Sequence, residues 1–112
     1  MPTTAAVMKT PRKTPRHAQT AREYMGFVEI GVLPHNLLTR PLGAILESDD
    51  DGFIVRTIDL PLYGASADPV EAIENLKIEI ETLHAELMED DRFSQEWLNY
   101  KRFLQERIIP AR

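Results

Sequence analysis

Residues 42–77, LGAILESDDDGFIVRTIDLPLYGASADPVEAIENLK, decide how this chain folds. Two apolar runs, Leu42-Gly43-Ala44-Ile45-Leu46 and Phe53-Ile54-Val55-Arg56-Thr57-Ile58, flank the polar segment Glu47-Ser48-Asp49-Asp50-Asp51-Gly52. Asp-Gly accepts positive φ readily, so the pattern predicts a β-hairpin. The second strand is predicted to end at Asp59-Leu60-Pro61-Leu62, because proline removes a ladder donor and extends the residue before it. Tyr63-Gly64-Ala65-Ser66 is then a short third strand on the sheet edge. Unpaired backbone groups at Tyr63 and Gly64 would let a partner strand add there.

A helix is predicted from Asp68-Pro69-Val70-Glu71 onward. Asp68 is an N-cap acceptor, Pro69 suits the first helical position, and Glu71 stands where it can reach back to the cap N–H. Val70, Ile73, Leu76, Ile80, Leu83 and Leu87 follow at helical spacing and predict a face that covers the sheet. Glu71, Glu74, Glu79, Glu81 and Glu86 read as the opposite, solvated face. After Glu89-Asp90-Asp91 a second helix is predicted near Phe93 or Ser94, with Phe93, Trp97, Tyr100, Leu104 and Ile108 as its stripe and Pro110 as its stop. Trp97, Tyr100 and Phe103 have two readings. As a stripe they are core; as a cluster of aromatics they are candidate partner-binding anchors, and pairing across a dimer two-fold would make them both.

Upstream, Tyr24 to Leu33 mixes aromatic and β-branched residues with glycines and reads as an irregular strand or a docking segment. Pro34, His35 and Asn36 form a turn. Residues 1–22 contain the tandem repeat Lys9-Thr10-Pro11-Arg12 and Lys13-Thr14-Pro15-Arg16, five cations with Arg22, no acid and almost no large apolar side chain. Such a segment cannot offset its ordering entropy and is expected to be a disordered basic tail. Lys9, Arg12, Lys13 and Arg16 would give it weak, salt-sensitive affinity for nucleic acid, although it lacks aromatics to stack on bases. Met8 and Met25 are alternative starts of translation.

Composition excludes several classes. With 112 residues the chain has room for one core, and with no cysteine it has no disulfide, thiolate metal site or cysteine nucleophile. No run approaches the roughly 20 apolar residues of a membrane span, and no secretory h-region is visible, so a cytoplasmic protein without membrane contact is expected. Beyond residue 22 there are 8 bases against 18 acids, a net charge of −10 that would repel polyanions and favour a basic or apolar partner. The three aspartates do not alternate with other residues as calcium ligands do, and Gly52 follows them at once, so a solvated turn is the preferred reading. His17, His35 and His84 are scattered. No catalytic, cofactor-binding or metal-binding residue is assigned, and no enzyme is expected.

The order of these features resembles the HicB family of antitoxin-like proteins. The likeness rests on Asp51-Gly52-Phe53-Ile54-Val55, Asp59-Leu60-Pro61, Gly64 and Asp68-Pro69-Val70-Glu71-Ala72-Ile73-Glu74-Asn75-Leu76-Lys77, and covers about residues 42–88. It implies a truncated RNase H-like β-β-β-α unit that lacks nuclease carboxylates. The implied role is to bind and mask a small basic RNA-cleaving toxin, commonly as an oligomer. The chain departs from the family in having Leu62-Tyr63 where a Gly-Cys pair is usual, and one aromatic helix where full antitoxins continue into a DNA-binding module. The expectation is thus an α+β fold: a small antiparallel three-stranded sheet, hairpin plus edge strand, packed on a long helix and followed by a C-terminal helix. Residues 1–22 would be the tail and 23–112 a single HicB-like domain. Its expected function is protein binding, with a nucleic-acid-associated regulator using the basic arm as the alternative.

Overall fold

The computed structural model describes residues 22–110. Its elements are β1 (Glu23–Val32), β2 (Asn36–Asp49), β3 (Gly52–Thr57), β4 (Tyr63–Ser66), α1 (Pro69–Leu87), α2 (Gln95–Arg107) and β5 (Ile108–Pro110). The fold is α+β, an antiparallel sheet packed against α1 and followed by α2. The predicted hairpin and edge strand are β2, β3 and β4, and two further strands enlarge the sheet to five. Its order is β1-β2-β3-β4, with β5 pairing the start of β2 at Asn36, Leu37 and Leu38. Because β1 runs along one side of β2, β5 and β3 share the other side, end to end.

The hairpin is tighter than the polar segment suggested. Glu47 pairs with Ile54, Ser48 with Phe53 and Asp49 with Gly52, so only Asp50 and Asp51 remain for the turn. Alternation explains it: Glu47 points to the face opposite the core and meets Arg56, so a charged residue sits in the ladder without penalty. Asp49 Oδ1 accepts from the Asp51 N–H at 2.8 Å, an Asx-type closure of the tip. Gly52 takes φ +138° and passes so close to β4 that a Cβ would lie 2.6 Å from the Ser66 carbonyl oxygen. Pro41, inside β2, falls in the segment 38–41 that bulges out of register between Ile30↔Leu42 and Val32↔Leu37, where a missing donor costs little.

The corner after β3 closes on itself. The buried Thr57 hydroxyl donates to the Leu60 carbonyl at 2.7 Å, and the Thr57 N–H donates to the Leu62 carbonyl at 3.1 Å. The chain thus reverses into β4 and then into α1, where the Asp68 side chain accepts from the Glu71 N–H at 2.9 Å. Glu71 does not reach back to the cap as predicted; its carboxylate is taken by the Ser66 hydroxyl, which also accepts from the Asp68 N–H. Replacing Asp68 by Ala is expected to lower stability by about 1 kcal/mol, and Asp68→Asn to have little effect, in urea unfolding followed by circular dichroism.

One core lies between the sheet and the helices. From α1 it takes Ala72, Leu76, Ile80, Leu83 and Leu87, from the sheet Ile30, Leu42, Ala44 and Val55, and from the C-terminal end Leu104 and Ile108. Val70 was predicted on this face and instead stands 65 % exposed, with Ala72 in its place. The small side chain is required there because Gly64 of β4 lies against the Ala72 carbonyl. Ile108 is buried as predicted but is extended (φ −99°, ψ 126°) and ends α2. Pro110 disfavours helical backbone at the residue before it, and the freed segment pairs with β2. No helix of the described residues is long and apolar enough to cross a membrane.

Candidate functional site

The helical layer is acidic. Glu71, Glu74, Glu79 and Glu86 project from α1 into solvent, with Lys77 paired to Glu74 at 3.1 Å. The α1–α2 connection adds Glu89, Asp90 and Asp91, all exposed. Lys101 of α2 ties this connection down by donating to the Asp90 carbonyl at 2.8 Å and pairing with Asp91.

Glu81 is the glutamate of α1 that departs from the solvated face the spacing predicted. Its carboxylate accepts from the His35 backbone N–H at 2.7 Å and from Asn36 Nδ2 at 2.8 Å. His35 Nδ1 donates to the other oxygen at 3.0 Å, the carboxylate selecting the Nδ1-protonated ring. The β1–β2 turn is thereby fastened to the middle of α1. Burial works to raise the Glu81 pKa, but the three donors outweigh it and hold it below the ordinary carboxylate value. His84, one turn on, is held below the ordinary histidine range by burial, against the opposing pull of Glu81.

Both shifts have one sign. A group whose folded pKa is depressed contributes stability that is present above its unfolded pKa and lost as pH falls through its folded pKa. Stability is therefore expected to decline first below the ordinary histidine range and again below the ordinary carboxylate range. Glu81→Gln should remove the second decline, measured as urea midpoints across acid pH, while lowering stability at neutral pH.

The aromatic residues of α2 divide by depth. Trp97 is 38 % exposed and meets Tyr100 edge to face, ring centroids 5.3 Å apart. Tyr100 is half-buried and donates its hydroxyl to Glu96 at 3.1 Å. Phe103 packs against the core with the Arg107 guanidinium 4.2 Å above its ring. Depth thus differs along one helix, with Phe103 and Tyr100 against the core and Trp97 the outermost member. Ser94 caps α2, accepting from the Trp97 N–H, which fixes where the indole leaves the surface.

Tyr63 and Gly64 are placed apart from these three, on edge strand β4. Tyr63 is 47 % exposed on the face away from the helices. Gly64 is buried beneath α1, where a Cβ would stand 2.3 Å from the Ala72 carbonyl oxygen and 2.5 Å from the Leu76 N. Its missing side chain serves packing of the helix on the strand. Asn75 completes that contact by donating to the Ala65 carbonyl at 3.0 Å. The Gly64 and Asn75 positions that carry the resemblance therefore act together as the seam between β4 and α1.

Lys9, Arg12, Lys13, Arg16 and His17 lie outside the described residues. Among the described residues no three histidine, aspartate or glutamate side chains are grouped so as to hold a metal ion. Sequence reasoning missed a surface on the far side of the sheet. The signal was the continuous apolar runs of β2 and β3, since strands with one face in water ordinarily alternate. No protein-family model matches the chain, and neither a curated protein nor a solved structure does.

Proposed function

We propose that this domain is a non-catalytic, HicB-like protein-binding module whose acidic helical layer receives a small basic RNA-cleaving protein, as an antitoxin does. The observation that carries the reading is the row of exposed glutamates of α1 and the acidic α1–α2 connection, followed on the next helix by the Trp97–Tyr100 pair, with Trp97 exposed. Such a layer attracts a cationic surface over a Debye length, raises the association rate and rejects anionic rivals. An aromatic pair on the following helix supplies the apolar anchor that charge alone does not.

The test is binding to small basic RNases encoded near the same gene, by titration calorimetry and by inhibition of RNA cleavage. A stoichiometric complex that silences the RNase is expected. Neutralising Glu71, Glu74, Glu79 and Glu86 to Gln should slow association at least about tenfold and flatten its salt dependence. If no such RNase binds and none is inhibited, the reading fails.

A further inference from the structure

The helices cover one face of the sheet, yet the other face is not the polar surface an antiparallel sheet ordinarily turns to water. Strand register places Phe27, Ile45, Arg56 and Tyr63 in one row across four strands. Val32, Leu37 and Ile109 form another across β1, β2 and β5. Both rows point away from the core, since the adjacent Ala44, Val55 and Ile108 are the buried residues. Phe27 and Ile58, each 55 % exposed, lean together over Gly43, where a Cβ would stand 3.1 Å from the Phe27 ring and 3.2 Å from Ile58 Cδ1. Eight of the twelve large hydrophobics exposed among the described residues belong to the sheet or to the corner after β3, so the exposure is concentrated rather than scattered.

Charge selects the occupant. The paired rows on this face hold Glu29, Glu47, Asp49 and Arg56, and Arg22 reaches in to Glu47 at 3.7 Å. Arg56 grips the same Glu47 through Nη2 at 3.1 Å and Nε at 3.3 Å. These rows thus carry three acids against two bases, close to balance, while the chain beyond residue 22 carries −10. Two copies meeting helix to helix would bring the four exposed glutamates of each α1 together. Two copies meeting sheet to sheet bring only this small excess together and leave both acidic layers on the outside. A basic partner would find little net charge on this face to attract it.

Size agrees with this. The described chain measures 38 × 27 × 18 Å, so a side spanned by its two longer dimensions is wide enough to hold the roughly 800 Å² per partner of a standard stable interface. We propose that the open face of the sheet is the interface of a homodimer, sheet packed on sheet across a two-fold axis, with Phe27, Ile45 and Ile58 at its centre. This surface is separate from the acidic helical layer, and neither assignment depends on the other.

Sedimentation velocity on the full chain, from low-micromolar to hundred-micromolar concentration, tests it. The wild type is expected at twice the 12.8 kDa chain mass. Phe27→Lys and Ile58→Lys should each weaken the dimer at least about 100-fold, because each change acts twice across the two-fold. Far-UV circular dichroism should be unchanged, both residues being exposed in the single chain. Leu37→Lys, in the other row, supplies an independent reading should either of these fail to fold, and Trp97→Ala should keep the dimer mass. A wild type that is monomeric at every concentration overturns the proposal, whether residues 1–21 or another protein covers the face. So does a dimer that persists in both Phe27→Lys and Leu37→Lys.

Discussion

Gly64→Ala is expected to destabilise the domain by at least about 3 kcal/mol, a loss seen as a large fall in urea midpoint with little change in slope. An added Cβ would lie 2.3 Å from the Ala72 carbonyl oxygen, 2.5 Å from the Leu76 N and 3.0 Å from Leu76 Cα. All three atoms are helix backbone, so no side chain can swing aside. The first turns of α1 would have to lift from β4, and that motion pulls Ala72 and Leu76, both fully buried, out of the core. It would also stretch the Asn75 bond to the Ala65 carbonyl. Against a total stability of about 5–15 kcal/mol for a domain of this kind, the change is severe. Gly31→Ala is the matched control, since a Cβ there meets nothing within 4 Å, and its effect should stay within about 0.5 kcal/mol. A Gly64 that acted only as a docking point for an incoming strand would leave stability intact in both variants.

That contrast shows which parts of the fold can be read along the chain. The hairpin, the Leu60-Pro61 corner and the Asp68 cap were legible because each is decided within a few residues, by turn chemistry or by proline. The strand β1 was not. Its glycines and a bulge at Met25, between Tyr24↔Glu47 and Gly26↔Leu46, break the alternation, and only β2 supplies its partner. The short β5 was read as the last turn of a helix because Ile108 does lie at the right spacing to be buried. Pairing with β2, seventy residues and more away in sequence, decides its backbone, and no local pattern reports such a contact. The candidate site divides in the same way. The acidic face of α1 followed from spacing alone, whereas Glu81 could be separated from its neighbours only once the β1–β2 turn was seen to rest on it.

Leu104→Ala and Trp97→Ala separate the structural part of α2 from the part available to a partner. Leu104 is completely buried and joins the core shared by α1 and the sheet. Truncating it deletes three methyl or methylene equivalents and leaves a cavity bounded by two helices, so a loss of about 2–5 kcal/mol is expected. Trp97 lies on the same helix with over a third of its surface in water, and its packing is chiefly the edge-to-face contact with Tyr100. Its truncation should cost about 1 kcal/mol. Thermal melts of the two variants therefore measure how firmly α2 is built into the domain. A Leu104→Ala protein as stable as the wild type would mean that α2 is only loosely attached, and Trp97 would then have no fixed position from which to anchor anything. With the large loss at Leu104 and the small one at Trp97, the indole is a side chain held at a defined place by a rigid helix and left uncovered. That is the condition under which an aromatic residue contributes to binding without first having to be ordered.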